Sequence, residues 1–128
     1  MTATAFSKGV RMSPRKVSVV ASLVRGRSVA DALTILEHTP RRSAEALRKA
    51  LLSAKANAEH NHSYKPDSLY ISEIAVTAGP RFRRYRAAAR GRALRYARKT
   101  SHIKVVVNGE KREVKKKAAN PVDKQEKK

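Results

Sequence analysis

Between Glu73 and Glu110 the chain has no acidic residue, yet it carries Arg81, Arg83, Arg84, Arg86, Arg90, Arg92, Arg95, Arg98, Lys99 and Lys104. Like charge at this density opposes compaction, so the segment cannot fill the interior of a globule. It has to stand clear of the core or lie against an anion. Its flanks, Leu69 to Val76 and Ile103 to Val107, are rich in β-formers. An antiparallel ribbon from Ile74 to Val107 follows, with its tip near Ala87-Ala88-Ala89-Arg90-Gly91. About thirteen residues per arm at roughly 3.3 Å each reach about 43 Å, against a radius of gyration near 13 Å for a domain of about 100 residues. The arm lacks apolar alternation over most of its length, and a bare two-stranded ribbon is marginal in water. It is expected to be mobile when free and ordered by its partner. A basic helix over Ala87 to Lys99 is the rival by propensity, with Gly91 against it.

The partner implied is a polyanion. Lys and Arg total 30 against 10 Asp and Glu, a formal charge of +20 on 128 residues. Nucleic acid, an acidic membrane surface and an acidic protein all fit that balance, but the cations are largely arginine here and interleaved with Phe82, Tyr85, Tyr96 and His102. A guanidinium holds a phosphate through two hydrogen bonds and stacks on a base. Phenyl and phenol rings offer faces to unstacked bases. Structured RNA is therefore the leading reading. A nucleoid-like DNA-binding protein is the runner-up, although no helix-insertion or minor-groove device is evident. A secreted cationic or membrane-active protein needs an export signal, and Met1 to Lys8 has no apolar run of that length. The expectation is a soluble, cytosolic protein. With no cysteine, disulfides and thiolate metal sites are excluded. His60 and His62 have no third ligand at suitable spacing, and no nucleophile–base pair, paired-carboxylate site or phosphate-binding glycine loop can be made out. No enzyme activity and no cofactor are expected.

Three helices are predicted before the basic segment. Ser13-Pro14 opens the first, with Ser able to cap free amides and Pro suited to the first position. Val17, Val20, Ala21 and Val24 form its stripe, and Gly26 can close it. Ser28 with Asp31 starts the second, whose face is Ala32, Leu33, Ile35 and Leu36, stopped by Pro40. The third runs from about Arg42 to Glu59 on Ala44, Leu47, Leu51, Ala54 and Ala58. These stripes are core. His60 to Asp67 reads as a loop. In the strand that follows, Leu69 and Ile71 are out of phase with Ile74 and Val76, so a bulge near Ser72-Glu73 or burial of both faces is expected. Asn108-Gly109 is a favoured tight-turn pair, after which a short return strand at most precedes a disordered tail.

Several ordered stretches carry a family resemblance. They are Ser13-Pro14-Arg15-Lys16-Val17 with Arg25-Gly26-Arg27, then Ser53-Ala54-Lys55-Ala56-Asn57-Ala58-Glu59-His60-Asn61 and Leu69-Tyr70-Ile71. Gly79-Pro80, Arg90-Gly91-Arg92-Ala93 and Thr100-Ser101-His102-Ile103-Lys104-Val105-Val106-Val107 complete the set. Over about residues 5 to 109 the chain resembles the bacterial form of the large-subunit ribosomal protein L twenty-two family. The resemblance implies an α+β fold, three helices packed on a small antiparallel sheet, with one long projecting β-hairpin and a disordered basic C-terminal tail. It divides the chain into a single rRNA-binding domain, residues 1–112, with the hairpin at about 74–107, and the tail, residues 113–128. It implies a structural constituent of the large subunit that binds large-subunit (23S) rRNA early in assembly. By the same resemblance the hairpin lines the nascent-peptide exit tunnel, beside the nascent polypeptide, and with the L four ribosomal protein narrows it. Changes at such a tip can alter macrolide sensitivity and stalling. Neighbouring large-subunit proteins are the other implied partners, with no membrane contact and no homo-oligomer.

On that basis the rRNA-binding candidates are Lys8, Arg11, Arg15, Lys16, Arg25, Arg27, Lys55, Asn57, His60, Arg81, Arg83, Arg84, Arg86, Arg90, Arg92, Arg95, Arg98, Lys99 and His102. The tunnel-lining tip corresponds to Arg84, Tyr85, Arg86, Ala87, Ala88, Ala89, Arg90 and Gly91, within a wider tip from Arg81 to Arg92. Blander readings stand beside some of these. The cations at the start of the first helix can be plain solvated charge, Asn57, His60 and Asn61 can simply cap a helix and order a loop, and His102 can be a packed imidazole. Ala87 and Ala88 occupy positions where the family often has Pro and Arg, so the tip should be slimmer and less charged.

Overall fold

The three apolar stripes form α1 (Pro14–Val24), α2 (Val29–His38) and α3 (Arg42–Asn61) in the computed structural model, which describes residues 2–112. The tail expected over 113–128 lies outside the described residues. Val17, Val20, Ala21 and Val24 of α1, Ala32 and Leu36 of α2, and Ala44, Leu47, Leu51, Ala54 and Ala58 of α3 are buried together. At the head of α2 the Ser28 hydroxyl accepts from the Asp31 N–H at 3.1 Å and donates to Asp31 Oδ2 at 2.8 Å. At α1 the expected cap does not form. Ser13 occupies the cap position, but its hydroxyl makes no capping bond, and Pro14 alone presets the first turn. Helix α3 runs two residues past the expected end, taking in His60 and Asn61. Ser63 at φ 53° then reverses the chain, and buried Tyr64 returns an amide bond to the Ala58 carbonyl at 3.1 Å.

The helices cover one face of a three-stranded antiparallel sheet of β1 (Ala3–Val10), β2 (Tyr70–Ala87) and β3 (Ala93–Asn108), in the order β1-β3-β2. The segment richest in β-branched residues, Ile103 to Val107, is thus the central strand, flanked on both sides and buried. Strand β1 escapes the sequence reading because it has no apolar stripe. Only Ala3 and Ala5 are fully buried, with Val10 partly so beyond the bulge, while Phe6 is largely exposed. Its small side chains let α3 lie close across it, and the Asn57 side-chain amide donates to the Thr4 carbonyl at 2.9 Å. A bulge between Ser7 and Val10 accommodates Gly9 at φ 70°, whose N–H donates to His102 Nδ1 at 2.9 Å.

The phase break in β2 is a bulge. Ile71 pairs with Val107 and Glu73 with Val106, so Ser72 is the extra residue and Ile71 and Ile74 both turn inward. The Arg27–Val29 segment hydrogen-bonds the outer side of this stretch, Val29 N–H to the Leu69 carbonyl and Ile71 N–H to that of Arg27, each at 2.9 Å. Beyond β3 the Asn108-Gly109 pair does not return the chain as a hairpin. Lys111 instead bridges to Tyr64, with Lys65 N–H on the Glu110 carbonyl at 2.9 Å and Arg112 N–H on that of Ser63 at 2.7 Å. The loop after α3 presents the Ser63 carbonyl and the Lys65 N–H there, and residues 110–112 pair with them.

Strands β2 and β3 continue past the core as the expected ribbon, which excludes the basic helix. A second bulge, between Ala78 and Arg81, marks where it leaves the domain. Thr100 is buried there and its hydroxyl donates to the Pro80 carbonyl at 2.7 Å. From Arg81↔Lys99 to Ala87↔Ala93 the cross-strand pairs span about 20 Å. The free arm is therefore shorter than the reach counted from Ile74, because residues up to Ala78 belong to the sheet. Every residue from Arg81 to Ala87 and from Ala89 to Lys99 is exposed. At the end, Arg90 and Gly91 take consecutive left-handed conformations, φ 58° and 69°, and Ala88 N–H closes on the Arg92 carbonyl at 2.8 Å.

A methyl group at Gly79 would stand 2.5 Å from the Thr100 hydroxyl oxygen. Gly79→Ala is therefore expected to cost about 1–3 kcal/mol in urea unfolding, through overpacking at the bulge. In a double-mutant cycle with Thr100→Ala the two costs should fall well short of additive. Additive costs would show that the hydroxyl is not what excludes the side chain.

Candidate nucleic-acid interface

The ribbon is where the charge is left without partners. Ion pairs within the described residues join Arg48 to Glu37, Lys49 to Glu45, Lys55 to Glu59, Lys65 to Glu110 and Lys104 to Glu73. None involves a cation between Arg81 and Lys99. Strand alternation sorts the ribbon's side chains into two faces. Phe82, Arg84, Arg86, Leu94, Tyr96 and Arg98 share one, and Arg81, Arg83, Tyr85, Arg95 and Lys99 share the other with three alanines, Ala87, Ala93 and Ala97. On each face an arginine lies over a tyrosine ring, Arg86 over Tyr96 at 5.8 Å and Arg95 over Tyr85 at 5.9 Å. Arg84 Nη1 donates to the Arg83 carbonyl at 2.8 Å. These contacts order the guanidinium groups and leave their charge uncompensated.

At its root the ribbon meets the rest of the protein across an open cleft of about 990 Å³. One wall is β3, Ala97 to Thr100, beyond the point where β1 stops pairing with it at Ser101. The other consists of the chain leaving β1, Arg11 to Ser13, with Lys16 and the start of α3, Arg41 to Ser43; Phe82 also lines the cleft. No acidic residue lines it. The nearest carboxylate on α3, Glu45, is hydrogen-bonded to Lys49 at 2.8 Å. That bond and the Lys49 charge, with smaller help from Arg48 and Arg42, hold its carboxyl below the usual carboxylate range. A smaller depression of about 180 Å³ at the ribbon's root is lined by Arg15, Arg81 and Lys99.

The structure thus brings Arg11, Lys16, Arg98 and Lys99 together in the cleft, and Arg15 with Arg81 nearby. Arg83, Arg84, Arg86, Arg90, Arg92 and Arg95 follow along the exposed ribbon and tip, and Lys8 is exposed at the β1 bulge. The other candidates, His60 excepted, have internal work. Arg25 donates through Nε and Nη2 to the Ile74 carbonyl at 3.1 and 2.9 Å, and Arg27 Nε to that of Leu23 at 2.9 Å. Asn57 ties α3 to β1, Lys55 pairs with Glu59 at 3.8 Å, and His102 receives the Gly9 amide. His60 is exposed at the end of α3, and neighbouring His62 stacks on Tyr64 at 5.8 Å.

Sequence reasoning does not reach Arg41 and Arg42, nor single out Phe82. A signal for the arginines was present. The positive end of a helix dipole disfavours cations, yet α3 begins with Arg41 and Arg42, and α1 has Arg15 and Lys16 in a first turn without an acid. Charges set against the local field indicate an anion supplied from outside.

Residues 5–108 match the family model described as ribosomal protein L22p/L17e. A large ribosomal subunit protein uL22 from Clostridium tetani is 50% identical over 107 residues, covering 84% of this chain and 96% of the relative. The protein of the same name from Oceanobacillus iheyensis is 50% identical over 111 residues, 87% of this chain and 98% of the relative. That from Clostridioides difficile is 47% identical over 111 residues, 87% of this chain and all of the relative (100%). The chain belongs to the ribosomal protein L22p/L17e family, a family of structural proteins rather than enzymes.

Proposed function

We propose that this protein is a structural constituent of the large ribosomal subunit, in the cytoplasm, and that it binds large-subunit (23S) rRNA and assists early assembly. One observation carries the reading. A ribbon of exposed arginines that find no counter-charge among the described residues continues at its root into a cleft lined, among those residues, by more cations and no acid. Such a surface is unfavourable alone and favourable against phosphates, whose condensed counterions it releases. The relatives' names, large ribosomal subunit protein uL22, support the same assembly. Residues 1–112 act as the binding unit. Within it Lys8, Arg11, Arg15, Lys16, the exposed His60 and the cations from Arg81 to Lys99 make the RNA contacts, and Arg25, Arg27, Lys55, Asn57 and His102 contribute from positions they also hold structurally.

The hairpin lines the nascent-peptide exit tunnel, with the L four protein opposite and the nascent polypeptide passing its tip, Arg84 to Gly91. Two features support this. The arm is narrow, two strands wide, and its end is trimmed to Ala87, Ala88 and Ala89, leaving Arg90 and Arg92 as the charged side chains of the terminal turn. A tip of that kind fits a confined passage with little steric bulk.

If about six cations each neutralise a phosphate, affinity for a 23S rRNA transcript falls roughly 10³-fold between 50 and 200 mM salt. A nearly flat titration would remove the electrostatic basis of the reading. The protein should also co-sediment with large ribosomal subunits after a high-salt wash, and duplex DNA should compete poorly with 23S rRNA. In amide hydrogen exchange the free protein should protect Ile103 to Val107 and leave residues 81–99 fast-exchanging, with protection reaching the ribbon only when rRNA is bound. A ribbon already protected in the free protein would overturn the idea that RNA orders it.

A further inference from the structure

The cleft at the ribbon's root holds one large apolar side chain whose role the phosphate contacts do not explain. Phe82 is 49% exposed and lines the cleft alongside Arg11, Lys16, Arg42 and Arg98. Arg98 is its cross-strand partner. Elsewhere on the ribbon the aromatic rings are occupied, Tyr96 by Arg86 and Tyr85 by Arg95. Among the described residues no guanidinium lies over the Phe82 ring. A phenyl ring with an open face, half in water and set among cations, is an arrangement that leaves its stacking surface unused in the free protein. It is a favourable one for a flat heterocycle joined to phosphates.

We propose that this cleft receives an unpaired stretch of RNA, one base of which stacks on Phe82 while its flanking phosphates lie on Arg11, Lys16, Arg42 and Arg98. The proposal rests on the rRNA-binding reading and adds to it the form of RNA bound at this place. A volume of about 990 Å³ is at the upper end of those that accept drug-sized molecules, so a nucleoside fits. A duplex does not offer a base face sideways, since its faces are stacked and only its edges and backbone are accessible. The free β3 edge from Ala97 to Thr100 could accept an extended peptide, but the lining offers six cations, Arg11, Lys16, Arg41, Arg42, Arg98 and Lys99, and no acid, which favours a strand charged at every unit.

Two measurements on the full chain test this. The first is equilibrium binding to a 23S rRNA transcript. Phe82→Leu, at an exposed site where folding is not at stake, should weaken binding about 5- to 150-fold, the range for losing one stacked base. Phe82→Tyr should bind as wild type, and the salt slope of Phe82→Leu should be unchanged. Arg42→Ala should instead reduce that slope by about one. Equal affinity for Phe82→Leu and wild type, or equal loss with Tyr and Leu, overturns the stacking. Wild-type protein that fails to bind the transcript overturns the rRNA reading itself, a different outcome. The second is photocrosslinking in large subunits that carry p-benzoylphenylalanine in place of Phe82. Crosslinks to unpaired 23S nucleotides support the proposal. Crosslinks to base-paired helices, to a protein, or to nothing overturn it.

Discussion

The fold depends on one strand serving two solvents. Strand β3 enters from the exposed ribbon, where Ala93 to Lys99 have no cover, and changes at Thr100 into the buried centre of the sheet. Ile103, Val105 and Val107 then hold β1 on one side and β2 on the other and receive the helices on their inner face. Because the strand is continuous, the ribbon is anchored by the same ladder that organises the core. The root is reinforced where the change occurs, by the buried Thr100 hydroxyl on the Pro80 carbonyl and the bulge that admits Gly79. A marginal two-stranded arm thereby inherits its direction from a stable sheet.

The second theme is charge left unbalanced by design of the sequence. Among the described residues the ion-paired acids lie on the helices and near the sheet ends, where Lys49, Lys55, Lys65 and Lys104 find them. The ribbon and the cleft receive none. Helix α1 even begins with cations and no acid against its own dipole, and α3 opens on Arg41 and Arg42 ahead of a single acid, Glu45. Local rules are broken together and in one region, the pattern expected where a partner rather than the fold supplies the compensation. The same logic separates the candidates: the exposed ribbon arginines are available to a ligand, while Arg25 and Arg27, committed to the main-chain carbonyls of Ile74 and Leu23, brace the end of α1.

Much of this was legible from residues alone. Apolar spacing located three helices, the phase slip between Ile71 and Ile74 announced the bulge at Ser72, and the acid-free run marked the ribbon. Strand β1 was not legible, because Ala3 and Ala5 make no stripe and become core only when α3 and Val105 cover them. The Asn108-Gly109 turn was misjudged because the competing partners, the Ser63 carbonyl and the Lys65 N–H, are distant in sequence.

Sequence by itself determined the periodicities and the sign of the surface, since both are properties of neighbours along the chain. Only the tertiary structure decided which cations face one another. Arg11, Arg42 and Arg98 share a cleft because β1 ends where the ribbon departs, bringing three separate segments to one edge. It also decided that Asn57 and His102 hold backbone inside the protein, since a hydrogen bond between residues 53 or 93 positions apart leaves no trace in local pattern.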